Sequence, residues 1–151
     1  MQRQFLLSAI IFLLLSTQSY SALQDDQLKY TILKWDKSYY WIFSNVTAAS
    51  ISPTEIKLLE DLMSKAITAH NLSKVDDAYK IGPLSNYHFQ FIPVFTKKGQ
   101  KEVWVNALCS NPGINWRKEI IIVNDGGNCY FNLKVNLTTR GYYQLYVNGY
   151  A

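Results

Sequence analysis

Residues 128–137 read NCYFNLKVNL, and no other ten residues restrict the fold as strongly. Cys129, Phe131, Leu133, Val135 and Leu137 alternate with Tyr130, Asn132, Lys134 and Asn136. Successive side chains of a strand point to opposite faces, so this is the pattern of a half-buried strand. Neighbouring stretches repeat it. Within 87–95, Tyr87, Phe89, Phe91 and Phe95 share a face, and Pro93, lacking a ladder donor, argues for an edge strand or a bulge. Within 101–109, Val103, Val105, Ala107 and Cys109 share a face. Residues 118–123 and 142–150 read as two more strands, with turns at Lys97-Lys98-Gly99-Gln100, Asn111-Pro112-Gly113, Asp125-Gly126-Gly127 and 138–141. Upstream, 30–35 and 39–43 read as a hairpin or two short strands around the turn residues 36–38.

One helix interrupts the strands. Ser52 stands at its cap, Pro53 at the first helical position and Glu55 three residues after the cap, so hydroxyl and carboxylate can satisfy end N–H groups reciprocally. Ile56, Leu59, Met63, Ala66, Ile67 and His70 then recur at spacings of three and four, one face to lay on a sheet, with an end expected near Asn71. A helix followed by strands on short connections predicts an α+β fold: one long helix packed on a curved antiparallel sheet of about five to six strands.

The first 21 residues are set apart from this domain. Arg3 precedes an 11-residue apolar run from Phe5 to Leu15, and small and polar residues follow up to a cleavage site after Ser21. That order is a secretory signal peptide, and the run is short of the roughly 20 residues a membrane span needs. Residues 22–151 are then expected as a single α+β domain, exported to the periplasm or beyond the cell, with no integral membrane segment. Without Arg3 the chain has 14 Lys plus Arg against 11 Asp plus Glu, a net charge of +3. Such a charge keeps a protein in solution without marking a nucleic-acid partner.

The helix-then-meander order resembles the cystatin-like layout, in which a sheet wraps one helix. The segments KEVWVNALCS, DGGNCYFNLKVNLTTRGYY and VNGYA are similar to those of small exported proteins of Bacteroidetes-type bacteria. This resemblance implies an envelope or secreted location and no particular activity. Cystatins themselves carry a Q-x-V-x-G hairpin. The corresponding turn here reads Lys98-Gly99-Gln100-Lys101-Glu102, and the second loop offers Trp116 as a wedge without its preceding proline.

Cys109 and Cys129 lie on apolar strand faces, where an exported location permits a disulfide and burial equally suits two thiols. His70 and His88 have no partner at ligand spacing, so no metal site is expected, and no cofactor motif is present. Asp25, Asp26, Asp76, Asp77 and Asp125 fall at the expected amino terminus of the exported chain, in a loop and in a turn, contexts that do not single out a catalytic acid. The sequons at Asn45, Asn71 and Asn136 are read as chance. Aromatic density remains. Strict alternation puts Tyr142, Tyr146 and Tyr150 on one face with Gln144 and Asn148, and places Trp104 opposite the Val103 row, with Trp116 in a nearby loop. Tyr and Trp combine contact area with a polar handle, which suits recognition of a sugar face or a protein. The function expected is therefore a non-catalytic exported binding module for an envelope or extracellular protein or glycan, with contact through these five rings and loop 110–116. The alternatives are a cystatin-like cysteine-protease inhibitor and a small enzyme using a pocket between helix and sheet.

Overall fold

The computed structural model describes residues 28–109, 113 and 115–150. The expected leader and most of loop 110–114 lie outside the described residues. Strand β1 (Lys29–Ile32) and the short β2 (Val46–Ala48) precede helix α1 (Pro53–Leu72), and β3 (His88–Thr96), β4 (Lys101–Leu108), β5 (Tyr130–Asn136) and β6 (Gly141–Val147) follow. They form one six-stranded sheet in the order β1-β3-β4-β5-β6, with β2 also on β3. The architecture is the expected α+β one, a helix on a sheet. The sheet is mixed, because β1 runs parallel to β3 while every other pairing is antiparallel.

The helix begins as its cap residues dictate. Ser52 Oγ accepts from Glu55 N at 3.3 Å and Glu55 Oε2 accepts from Ser52 N at 2.8 Å. Glu55 also meets Lys101 Nζ at 2.7 Å, which ties the helix start to the start of β4. That bond, ahead of the Ser52 amide, holds the Glu55 carboxyl below its ordinary range. At the other end the helix continues past Asn71 to Leu72. Asn71 makes no left-handed stop; its amide instead clamps Ile81, donating to the carbonyl and accepting from the N–H at 2.8 Å each. Leu59, Leu62, Met63, Ala66 and Ile67 are buried against Phe89, Phe91, Val103, Val105, Phe131 and Leu133, the apolar rows read from the alternation. All three phenylalanines are essentially inaccessible to solvent.

The second face of the sheet is also covered. Leu33, Ile42, Phe43, Ile92, Val94 and Trp104 form a second buried cluster. Residues 39–43 are thus no strand: a short 3-10 turn, Lys37–Tyr39, capped by Asp36 (Oδ1 to Ser38 N, 2.8 Å), leads into turns that drop Ile42 and Phe43 onto the sheet. Nor is 118–123 a strand. Its backbone groups bond to side chains of the sheet. Gln90 Nε2 donates to Trp116 O and, at 2.6 Å, to Glu119 O; its Oε1 accepts from Ile121 N at 3.0 Å. Asn106 Nδ2 donates to Ile121 O at 2.8 Å, and Asn148 Nδ2 to Val123 O at 2.5 Å. The amides also join each other, Asn106 to Gln90 Oε1 at 2.9 Å and Asn132 to Asn106 Oδ1 at 2.7 Å, because the three are paired across β3, β4 and β5.

Pro93 is in an interior strand, not at an edge. The Phe91 and Pro93 carbonyls take bonds from Leu33 N and Ala49 N, so the missing proline donor faces the break where β1 hands over to β2. Cys109 and Cys129 form a disulfide with Cα atoms 4.8 Å apart, bridging the ends of β4 and β5. Replacing both cysteines with alanine should lower the unfolding free energy by about 3 kcal/mol, the chain-entropy value for a loop of this size. Chemical denaturation checks this, and an unchanged midpoint would mean that β4–β5 pairing alone closes the loop.

Candidate functional site

The two coverings of the outer face leave a strip of it open. On that side Ile92, Trp104, Lys134 and Tyr143 are successive partners across β3 to β6, and Glu102 is paired with Asn136 in the next row. Two adjoining depressions share Ile42 and Lys134. The larger, about 430 Å³, lies between the 42–46 segment and the β3–β4 turn and reaches Glu102; the smaller, about 220 Å³, is lined by Trp41, Trp104, Asn132, Gln144 and Tyr146. The larger falls within the size range usual for small-molecule sites.

Buried polar groups form its floor. Glu102 accepts from Tyr143 OH at 2.6 Å on one oxygen and from Asn136 Nδ2 at 3.0 Å on the other. Burial first, and then this bond to a carboxylate, push the Tyr143 phenol far above its ordinary pKa. Lys134 places its ammonium 4.7 Å from the centre of the Phe43 ring and 5.9 Å from that of Tyr143. Burial pulls its pKa down, and the charge of Glu102 opposes that pull. No ion pair reaches Lys134 among the described residues. The walls of the smaller depression are aromatic: Trp41 stands edge-on to Trp104 at 5.7 Å with 52% of its surface exposed, and Tyr146 is 63% exposed.

Of the five rings expected to share contact, only Trp104 and Tyr146 line a common depression. Trp104 and Trp116 are each 5% exposed, Trp104 as a covered residue of β4 and Trp116 as part of the segment that covers the outer face. Trp104 lies beneath Ile42 and Phe43, and Trp116 packs edge-on against His88 at 5.1 Å, under Arg117. Alternation along β6 also breaks. Gln144 adopts a φ of +51°, and Lys134 faces Tyr143 while Asn132 faces Tyr146, so one extra residue is accommodated opposite Leu133. Tyr142 sits across from Val135 on the helix-facing side, and the extra residue brings Tyr146 to the outer side with Tyr143. Tyr150, beyond the strand, bonds Ala78 O at 2.7 Å and covers Gly127, where any side chain would collide with its ring. It fastens loops together. Of the five, Trp104 and Tyr146 line the smaller depression of the open strip, and of these two only Tyr146 is exposed.

Trp41, Phe43, Glu102, Lys134 and Tyr143 were not singled out by sequence reasoning. The signal present was Trp41 beside Ile42 and Phe43, but its aromatic character was spent on a strand assignment. Between helix and sheet a further depression of about 340 Å³ is lined by His70, Lys74, Tyr79, Leu145, Tyr146 and Val147, with no carboxylate. His70 Nε2 lies 3.0 Å from Tyr79 O. Among the described residues no three His, Cys, Asp or Glu side chains gather where they could hold a metal, and no helix is long and apolar enough to cross a membrane.

Comparison with protein-family models, with curated proteins and with solved structures finds no match. What stands of the resemblance is the architecture, one helix laid on a mixed sheet.

The Tyr143–Glu102 bond has a consequence at high pH. A phenol whose folded-state pKa is raised contributes stability that is complete below the unfolded value near 10 and is lost as pH climbs above it. Tyr87, buried, is pushed up as well. Tyrosinate absorbance should therefore show two phenols lagging the rest, and Glu102→Gln should bring one back toward the others. If Glu102→Gln leaves the titration unchanged, the carboxylate does not hold Tyr143.

Proposed function

We propose that this chain is an exported, non-catalytic binding module and that the open strip of the outer sheet face is its contact surface. The observation that carries this reading is the pair of exposed rings, Trp41 and Tyr146, lining one depression with Lys134 and Asn132. Apolar surface with polar groups close beneath is the composition of recognition sites, and Trp and Tyr dominate their energetics. A binding role also suits the carboxylate. Glu102 has both oxygens engaged, which fits it to hold the sheet rather than to move protons.

Export is supported by the leader pattern in the first 21 residues and agrees with a disulfide, since oxidising compartments are where such bonds persist. The likeness of KEVWVNALCS and DGGNCYFNLKVNLTTRGYY to small exported proteins of Bacteroidetes-type bacteria favours a partner in the bacterial envelope or its surroundings. The inhibitor alternative loses support from burial, because Trp116, its one aromatic wedge, is covered. The pocket-enzyme alternative finds His70 engaged with a backbone carbonyl in a depression lacking an acid.

Affinity capture of envelope proteins and glycans with the purified protein tests the reading. Trp41→Ala with Tyr146→Ala should abolish capture at an unchanged thermal midpoint, since both rings are largely exposed. Trp104→Ala, by contrast, should lower stability by about 3–5 kcal/mol, the cost of emptying a buried aromatic site. Capture that survives loss of both exposed rings would remove the strip from the contact surface.

A further inference from the structure

Resting on that reading, we infer that the ligand of the strip is an acidic saccharide, with its carboxylate at Lys134 and a sugar ring against Trp41. Charge is the first ground. The larger depression is lined by Lys97, Lys98 and Lys134 against one carboxylate, and Glu102 has neither oxygen uncommitted. The cleft is therefore electropositive in a chain whose overall charge is modest.

Lys134 is the second ground. It opens onto both depressions, has no ion pair among the described residues, and is held between the Phe43 and Tyr143 rings. A partly desolvated ammonium that feels Glu102 only at a distance and has no direct ion pair is improved by an incoming anion, and a bond between two charged groups exceeds a neutral one in strength. A compact point charge suits a single carboxylate. The surroundings select the remainder of the ligand. Ser44, Asn45, Thr96 and Gln100 line the larger depression with hydroxyls and amides that can donate and accept, as sugar hydroxyls require. Trp41 and Tyr146 in the smaller one add flat faces with polar edges. An acidic peptide would find the cations but would leave this hydroxyl-matching array unused.

The test uses calorimetric titration of the purified protein with trigalacturonate, with the same trisaccharide fully methyl-esterified, and with a hexaglutamate peptide. Trigalacturonate should bind, weaken as salt rises, and exceed its ester by about tenfold or more, the value of one charge-assisted bond. Lys134→Met, at an unchanged thermal midpoint, should erase that difference, and binding should raise the Lys134 ammonium pKa seen by NMR. Should Lys134→Met fold poorly, Lys97→Ser with Lys98→Ser supplies exposed substitutions that should reduce the same preference. Equal binding of acid and ester, tighter binding of the peptide than of the trisaccharide, or no binding of any probe would overturn the inference. Capture that still depends on Trp41 and Tyr146 in those cases leaves the binding module standing, whereas loss of that dependence overturns the module itself.

Discussion

Gln90, Asn106 and Asn132 stand side by side across three central strands, and the outer half of the molecule is organised around them. Gln90 is completely buried and Asn106 nearly so. A buried amide without partners costs about 1–3 kcal/mol for each unmet group, so these side chains are tolerable only when each donor and acceptor is met. They meet each other along the row and meet the carbonyls and N–H of residues 116–121 above it. Residues 116–123 of the connection between β4 and β5 therefore lie on the sheet without becoming a strand, because amide side chains take the place of a neighbouring ladder.

That substitution explains where sequence reasoning succeeded and where it stopped. Alternation in 87–109 and 128–137 gave the strands and the helix-facing core, since one apolar face per strand is a local property. It could not give the fate of the opposite face. Gln90, Asn106 and Asn132 occupy positions that alternation assigns to solvent, and their burial follows from long-range pairing that no local window contains. The same limit misplaced 118–123. Ile120, Ile121, Ile122 and Val123 are ideal strand residues, but the groups that satisfy Ile121 are side chains 31 and 15 residues away. Trp104 was expected as a contact ring for the same reason, because a ring opposite the core row looks exposed until something covers it, and Trp116 because it lies in a loop.

The bulge at Gln144 is the other local event with wide effect. The extra residue, with Gln144 in the left-handed region, turns Tyr146 to the side that Tyr143 occupies and away from that of Tyr142. Without that extra residue, Tyr146 would not share the outer side with Tyr143. The two coverings of the outer face, 33–45 and 115–123, take opposite ends of it, and the uncovered strip between them and β6 holds Lys134. Site and scaffold thus have one origin. The open strip is what remains of the outer face after the amide row has fastened one segment and the Ile42–Phe43 insertion has fastened the other.

The Ile121 amide offers the most direct measurement of this account. Its N–H is bonded to Gln90 Oε1 at 3.0 Å, in a segment that is otherwise neither helix nor strand. Native-state hydrogen exchange should protect Ile121 as strongly as the amides of β4, and Gln90→Leu should release it while Val103 and Val105 remain protected. An Ile121 amide that exchanges as fast as the exposed β3–β4 turn in the unaltered protein would contradict the claim that buried amides hold the outer layer in place.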